Sequence, residues 1–145
     1  MAITTSVLTN SFKKELLEGT HNFKQTGGNS FKLALYTNSA VLGKSTTSYT
    51  TDGEVSASGQ YVASGKALVN GGTSVATNTA IVDFADRSYT GVTLTARGAL
   101  IYNDTASGDP AVAVLDFGSD KTATSGTFTI QFPAFTTSAA IIRIS

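Results

Sequence analysis

The sequence predicts an all-β fold, either a β-sandwich or a jelly-roll-like barrel, with one short N-terminal α-helix. First, short segments in the second half of the chain alternate between apolar and polar residues, which is the period of a strand. Second, 23 Thr, 16 Ser and 14 Gly among 145 residues suit strand surfaces and turns. Third, turn-forming residues separate the alternating segments, at residues 86–91, 103–110, 118–126 and 133–138.

A single domain accounts for the length. A chain of 145 residues can bury a core without cross-links, and the absence of Cys excludes disulfides in any case. Within this one domain we distinguish an N-terminal arm with the short helix, residues 1–23, from a β-sandwich or barrel, residues 24–145. The sequence has no repeat of fixed period that would indicate a repeat architecture.

The short helix is predicted over residues 11–18. Thr9 or Asn10 can cap its first turn, because either side chain can accept a hydrogen bond from a free backbone N–H group. Phe12 and Leu16 are four residues apart and therefore share one face of the helix. A helix this short is marginal in isolation. We therefore expect its apolar face to pack on the sheet or on a neighbouring chain.

The β region begins with a half-buried strand over residues 30–36, in which Phe31, Leu33 and Leu35 share one face. A long loop rich in Thr and Ser follows over residues 37–53, and loops of this length are often functional. A glycine turn is predicted at residues 71–72. Further strands are predicted at residues 61–63, 67–69, 74–76, 80–84, 93–102, 111–117, 127–132 and 140–144.

Charge and hydropathy argue against several classes of function. Ten basic and ten acidic residues give a formal net charge of zero, whereas nucleic-acid binding needs clustered Lys and Arg. The N-terminus lacks the basic start and apolar run of a signal peptide. No stretch approaches the roughly 18 consecutive apolar residues of a membrane span. We therefore expect a soluble protein that binds neither nucleic acid nor membranes.

The residues offer little for catalysis. His21 is the sole histidine, and neither a set of metal ligands nor a nucleophile motif accompanies it, so we predict a surface or interface position. Aspartates near glycine turns, such as Asp104, Asp109 and Asp120, could bind calcium, but Asp is also favoured in turns for its own backbone hydrogen bonds. We expect no enzyme activity, no cofactor, no metal site and no small-molecule substrate.

Two arginines have two interpretations each. Arg97 and Arg143 lie inside strong predicted strands, as do Asp83 and Asp116. Each arginine either forms a cross-strand ion pair or faces a partner subunit, and the sequence favours neither. The five tyrosines could line a sugar-binding surface, although together with eight Phe they are better explained as core and interface residues.

Seven short phrases spread over nearly the whole chain are distinctive. They are NSFK (10–13), ELL (15–17), FKLALYT (31–37), AIVDFAD (80–86), TLTARGALIY (93–102), AVAVLDFG (111–118) and FTIQFP (128–133). In these phrases the sequence resembles a family of small virion structural proteins of tailed phages, often aquatic ones. With this size and β content, the resemblance implies a capsid decoration (cement) protein and carries over no catalytic motif.

The resemblance implies a location on the outer capsid surface of the virion, after assembly in the host cytoplasm. Its expected partners are the major capsid protein and itself, as a homotrimer at threefold or quasi-threefold sites of the capsid lattice. Such a protein would bridge capsomers and stabilise the DNA-filled head, since a ligand that prefers the assembled shell stabilises it. The alternative is a tail or fibre component that contacts a host glycan or joins tail parts.

Two segments are the predicted capsid or partner contacts. The first is the N-terminal segment over residues 3–23, because it carries many apolar residues for a chain end. The second is the loop over residues 37–53. Packing of the N-terminal segment on the protein's own sheet is an equally good explanation. The candidate contact residues are Ile3, Val7, Leu8, Phe12, Val41, Leu42 and Tyr49, and the possible subunit-interface residues are Arg97 and Arg143.

Overall fold

Two antiparallel sheets and one short helix form the fold in this computed structural model, which describes residues 3–145. The predicted all-β class with a short N-terminal helix is thereby confirmed. The elements in chain order are β1 (Val7–Leu8), α1 (Asn10–Leu17), β2 (Phe31–Tyr36), β3 (Lys66–Ala67), β4 (Asn70–Ala76), β5 (Thr79–Phe84), β6 (Arg87–Asn103), β7 (Ala111–Ile130) and β8 (Ile142–Ile144).

The two sheets give a sandwich-like architecture. The larger sheet has five strands in the order β1-β7-β6-β2-β3, and the smaller sheet has three in the order β4-β5-β8. All strand pairs are antiparallel. Because β1 is first in this order and pairs with β7 alone, it is an edge strand of the larger sheet.

Helix α1 begins one residue earlier than predicted. Thr9 is its N-cap, and the Thr9 hydroxyl accepts a hydrogen bond from the backbone N–H of Phe12 at 3.2 Å. Phe12 is buried and faces the core between the sheets, as its spacing from Leu16 suggests. Gly19 follows the helix with φ of +76°, a conformation that glycine adopts at little cost.

The long hairpin of β6 and β7 replaces two of the predicted turns. The strands pair from Tyr102 opposite Ala111 to Arg87 opposite Ile130, so residues 86–91 and 118–126 lie mainly within strands. The turn-forming residues produce register shifts instead, and a bulge accommodates extra residues without ending a strand. For the same reason the predicted strand at 127–132 is the end of β7 rather than a separate element.

The other errors in the strand prediction fall in the middle of the chain and in its last strand. Residues 61–63 form no strand, and only Tyr61 makes an isolated bridge, to Ser58. The strand predicted at 67–69 is shorter and earlier, at β3, and the last strand is limited to β8. The predicted turn at residues 71–72 lies inside β4, at a register shift opposite β5.

Two apolar cores lie on opposite faces of the larger sheet, so β2 is buried on both faces rather than on one. Leu33 and Leu35 face the core shared with the helix and the smaller sheet, whereas Ala34 and Tyr36 face a second core. The second core is covered by residues 3–7 and by the loop over residues 37–53. Its buried members are Ile3, Ala34, Tyr36, Ala40, Leu42, Leu100, Tyr102, Ala111 and Val114.

Candidate partner-binding surface

The N-terminal arm, residues 3–9, lies along the edge of β7. Val7 pairs with Val114, and the Ser6 hydroxyl accepts a hydrogen bond from the backbone N–H of Asp116 at 2.9 Å. Ile3 is completely buried against Gly98, where an added Cβ would lie only 2.6 Å from Cδ1 of Ile3. The absence of a side chain at position 98 therefore creates the space that Ile3 fills.

The loop over residues 37–53 is held by its aromatic residues. Tyr49 stacks on Tyr102 with ring centroids 4.9 Å apart, and its backbone N–H donates to the Asp109 carbonyl at 3.0 Å. The hydroxyl of Tyr36 donates to the Thr50 carbonyl at 2.6 Å. These contacts fix a segment that has almost no regular secondary structure.

Glu54 is the polar anchor at the end of this loop. Its carboxylate accepts hydrogen bonds from the Tyr49 hydroxyl at 2.5 Å, the Tyr61 hydroxyl at 2.8 Å and the Ser64 backbone N–H at 2.7 Å. Burial, followed by the hydrogen bond to Glu54, raises the pKa of Tyr49 above its usual value. The end of the loop is thus held by one carboxylate that accepts three hydrogen bonds.

The arm and the loop meet at a groove of about 890 Å³, which we call the arm–loop groove. Its side chains are mainly hydroxyl-bearing and apolar, and Lys44 and Asp52 are the charged residues among them. Val41 stands at this groove with 72% of its surface exposed. The lining residues are Thr4, Thr5, Val7, Ser39, Ala40, Val41, Leu42, Gly43, Lys44, Ser45, Thr46, Thr47, Ser48, Thr50, Asp52 and Gly53.

The structure brings together only part of the predicted contact set. Ile3 is buried in the second core, and Val7, Val41 and Leu42 line the groove. Tyr49 is half-buried and packs on the second core. The remaining two, Leu8 and Phe12, pack into the core on the opposite face of the larger sheet.

For Ile3 and Phe12, packing within the chain accounts for their apolar character, since both are at most 1% exposed. This is the alternative that the sequence left open. A direct contact with a partner stays a prediction for the residues that reach the surface, above all Val41.

Arg97 and Arg143 have different surroundings. Arg97 forms a cross-strand ion pair with Asp116, in which Nη2 of Arg97 lies 3.2 Å from Oδ1 of Asp116. A cross-strand pair is one of the two interpretations that the sequence left open for this arginine. Arg143 is exposed and donates a hydrogen bond to the Ser138 carbonyl at 2.9 Å. A subunit interface at either arginine stays a prediction.

The surface or interface position predicted for His21 is wrong, because the residue is buried within the chain. Its ring lies near Phe12, Phe23 and Phe31, with centroids 4.9–6.4 Å away. Glu15 Oε1 lies 3.2 Å from its Nε2, and the Asn103 amide nitrogen lies 3.1 Å from its Nδ1. Sequence reasoning missed Asn103, which is separated from His21 by 82 positions and belongs to no motif.

The tyrosines do not form a platform for a sugar. Four of them are at most 1% exposed, and Tyr49 is half-buried under its own loop. Burial raises the pKa of Tyr89 and of Tyr102 to about 12. The four fully covered residues are Tyr36, Tyr61, Tyr89 and Tyr102.

Within residues 3–145, no group of three His, Asp or Glu side chains is arranged to hold a metal ion. None of the helical structure in that same part of the chain is long and apolar enough to cross a membrane. Comparison of the chain with protein-family models, with curated proteins and with solved structures finds no match in any of the three.

Proposed function

We propose that this chain is a capsid decoration (cement) protein of a tailed phage, and that it contacts the major capsid protein through the arm–loop groove. The observation that carries the proposal is the meeting of two separate segments at this groove, the arm and the loop over residues 37–53. The sequence predicted contacts in the N-terminal segment over residues 3–23, of which the arm is the first part, and in this loop.

The chemistry of the groove suits a protein surface better than a charged ligand. Among its lining residues Lys44 and Asp52 offset each other, and the other side chains are hydroxyl-bearing or apolar, as at Val7 and Val41. Protein interfaces likewise combine apolar with polar side chains. In a homotrimer, which we also propose, three such grooves bind together, and multivalency multiplies a modest single contact.

The direct test compares two exposed valines. Val41 at the groove is 72% exposed, and Val75 on β4 of the smaller sheet is 70% exposed. We expect Val41→Asp to reduce cosedimentation with decoration-free capsids of the parent phage at least tenfold, because a charge would be buried in the contact. Val75→Asp is the matched control and is expected to bind like wild type.

Other outcomes of these experiments would contradict the proposal in different ways. Loss of binding with Val75→Asp, while Val41→Asp binds normally, would move the contact to the smaller sheet. Normal binding by both variants would refute the groove. Cryo-EM density confined to the tail would overturn the decoration role and favour a tail or fibre component.

Deletion of residues 1–23 is a poor test of this proposal. It would remove β1 from the larger sheet and Phe12 from the core, so the truncated chain would lose stability as well as the arm. Point substitutions at exposed positions avoid this ambiguity.

A further inference from the structure

We propose that a cleft beside the core between the sheets binds a free fatty acid, whose acyl chain fills the cleft and whose carboxylate pairs with Lys121. The cleft lies between β7 and residues 131–141, has a volume of about 530 Å³, and is called the β7 cleft below. The fatty acid is bound rather than converted. This inference does not depend on the capsid role.

The cleft exists because the sandwich is open along β7. Strand β1 pairs with β7 only at Ala113 and Val114. From Phe117 onward, β7 therefore has no strand on its outer side among the residues that the structure describes. After Ile130 the chain passes from the larger sheet to β8 of the smaller sheet through a segment without helix or strand.

The interior of the cleft is apolar. Leu115 and Phe117 line it from β7, and Phe132 and Ile141 line it from the segment that leads to β8. All four are partly buried and pack against the core between the sheets. An acyl chain in the cleft would extend this core and remove apolar surface from water. The volume of the cleft lies within the roughly 300–1,000 Å³ typical of small-molecule sites.

Lys121 is the residue that favours a carboxylate as the head group. It lies directly opposite Ala96 on β6, and Ala123 lies opposite Leu94. Directly opposite residues of an antiparallel pair have their side chains on the same face, and both Ala96 and Leu94 are buried in the core. Lys121 is therefore on the core-facing side of β7, yet it is exposed. Its apolar stem can follow the cleft while its ammonium group stays in water at the mouth.

The charge at the cleft is positive overall. Asp116, the other charged lining residue, is paired with Arg97 at 3.2 Å. Asp120 faces the opposite side of the sheet, where its Oδ2 accepts a hydrogen bond from the Asn38 amide at 3.0 Å. The four ion pairs of the described residues do not include Lys121. An anionic head group on an apolar chain therefore complements the charge of this site.

An inward-facing lysine on an outer strand has a second explanation, because such a charge also opposes pairing with the edge of another chain. The two explanations differ in what the loss of the charge changes. If Lys121 only protects the edge, Lys121→Gln self-associates and binds a fatty acid as wild type does. If Lys121 pairs with the ligand, the variant loses affinity for the carboxylate.

The first test is an NMR titration of the full chain with decanoate at neutral pH. We expect saturable binding of a single ligand per chain, with the largest shift changes at the methyl groups of Leu115, Ala123 and Ile141. Val7 and Val41, in the arm–loop groove, should not respond. Absence of saturable binding at millimolar decanoate, or shift changes concentrated in the groove, would overturn the proposal.

A neutral ligand separates the head group from the chain, since decanol has the same acyl length and no charge. Lys121→Gln should weaken decanoate binding about threefold, as for one exposed ion pair, and leave decanol binding unchanged. Lys13→Gln is the matched control, since Lys13 is an exposed helix lysine that also belongs to none of the four ion pairs. It should bind both ligands as wild type does. An equal effect of Lys121→Gln on both ligands, or no effect on decanoate, would refute the pairing.

Filling the cleft should weaken both ligands. Ala123 is half-buried in the lining, and Ala123→Phe would place a ring where the acyl chain lies. We expect the affinity for decanoate and for decanol to fall at least tenfold, with folding checked by the ¹H–¹⁵N spectrum. Undiminished binding by the folded variant would contradict the location. If the variant does not fold, spin-labelled decanoate on wild type decides, because line broadening must centre on the same three methyl groups.

Other occupants of the cleft give different results. The chain should not cosediment with phosphatidylglycerol vesicles. Cosedimentation without binding of decanoate would assign the cleft to membrane lipids and refute the proposal. Concentration-dependent broadening of the cleft methyl signals without ligand, together with failure to bind decanoate, would show that a second copy of the chain occupies the cleft instead.

Discussion

The hydroxyl of Tyr49 donates a hydrogen bond to Oε2 of Glu54 at 2.5 Å, and this contact closes the loop that covers the second core. Oε1 of the same carboxylate accepts hydrogen bonds from the Tyr61 hydroxyl and the Ser64 backbone N–H. Glu54 also pairs with Tyr36, at the end of β2, through an isolated bridge. One acidic side chain therefore connects the irregular layer of the molecule to its central sheet.

Removal of this carboxylate should lower the free energy of unfolding more than removal of one of its donors. We expect Glu54→Ala to lower the free energy of unfolding by about 2–4 kcal/mol, because the Tyr61 hydroxyl and the Ser64 N–H would lose their acceptor. Tyr49→Phe should cost about 1–2 kcal/mol, since the carboxylate keeps two donors. Urea denaturation measures both. A larger effect for Tyr49→Phe would contradict the anchoring role of Glu54.

Truncation of Ile3 should detach the arm. Ile3→Ala leaves a cavity above Gly98 and should lower the free energy of unfolding by about 2 kcal/mol, the low end for a buried isoleucine, because an edge segment can detach locally. Hydrogen exchange at the Asp116 amide, which donates to Ser6, should become faster. Exposed Thr4→Ala is the control; equal effects of the two variants would show that Ile3 is not an anchor.

Asp83 should destabilise the protein at neutral pH. Burial, with a smaller contribution from the charge of Asp86, raises the pKa of Asp83, and its Oδ2 has no hydrogen-bond partner. A raised folded-state pKa gives stability below the unfolded-state pKa that is lost as pH rises through the folded-state value. Asp83→Asn should therefore raise Tm at pH 7 and change it little at pH 3. A fall in Tm at pH 7 would be inconsistent with this account.

The tyrosines should resist ionisation until the chain unfolds. Burial raises the pKa of Tyr89 and Tyr102 to about 12, and those of the other three are raised further. Stability from these groups is complete below the unfolded-state pKa of about 10 and declines as pH rises through the folded-state values. Phenolate absorbance should then rise together with loss of circular dichroism. Early ionisation of several tyrosines in the folded protein would contradict their burial.

The sequence predicted what depends on local chemistry. Phe12 faces the core because its helix is amphipathic, and Thr9 caps that helix because its hydroxyl is suitably placed. Both follow from residue spacing within a few positions of the chain. The alternation of Phe31, Leu33 and Leu35 likewise identified β2 and one of its buried faces.

The remainder depended on distant parts of the chain. Gly118 and its neighbours resemble a turn, but pairing with β6 makes them a bulge within one long strand. His21 looked exposed because nothing in its vicinity predicts Asn103 as a partner. The arm–loop groove was predicted only as two separate segments, since local patterns carry no information about which loops meet.

The arm contacts residues more than 100 positions later in the chain, and this has a consequence for synthesis on the ribosome. Thr9, which caps the helix, also donates its hydroxyl hydrogen to the carbonyl of Ala111, 102 positions later. The arm must therefore wait until Ala111 and its neighbours have emerged from the exit tunnel before it can dock. Contacts of such long range slow folding, and they leave the apolar residues of the nascent arm open to chaperones during that interval.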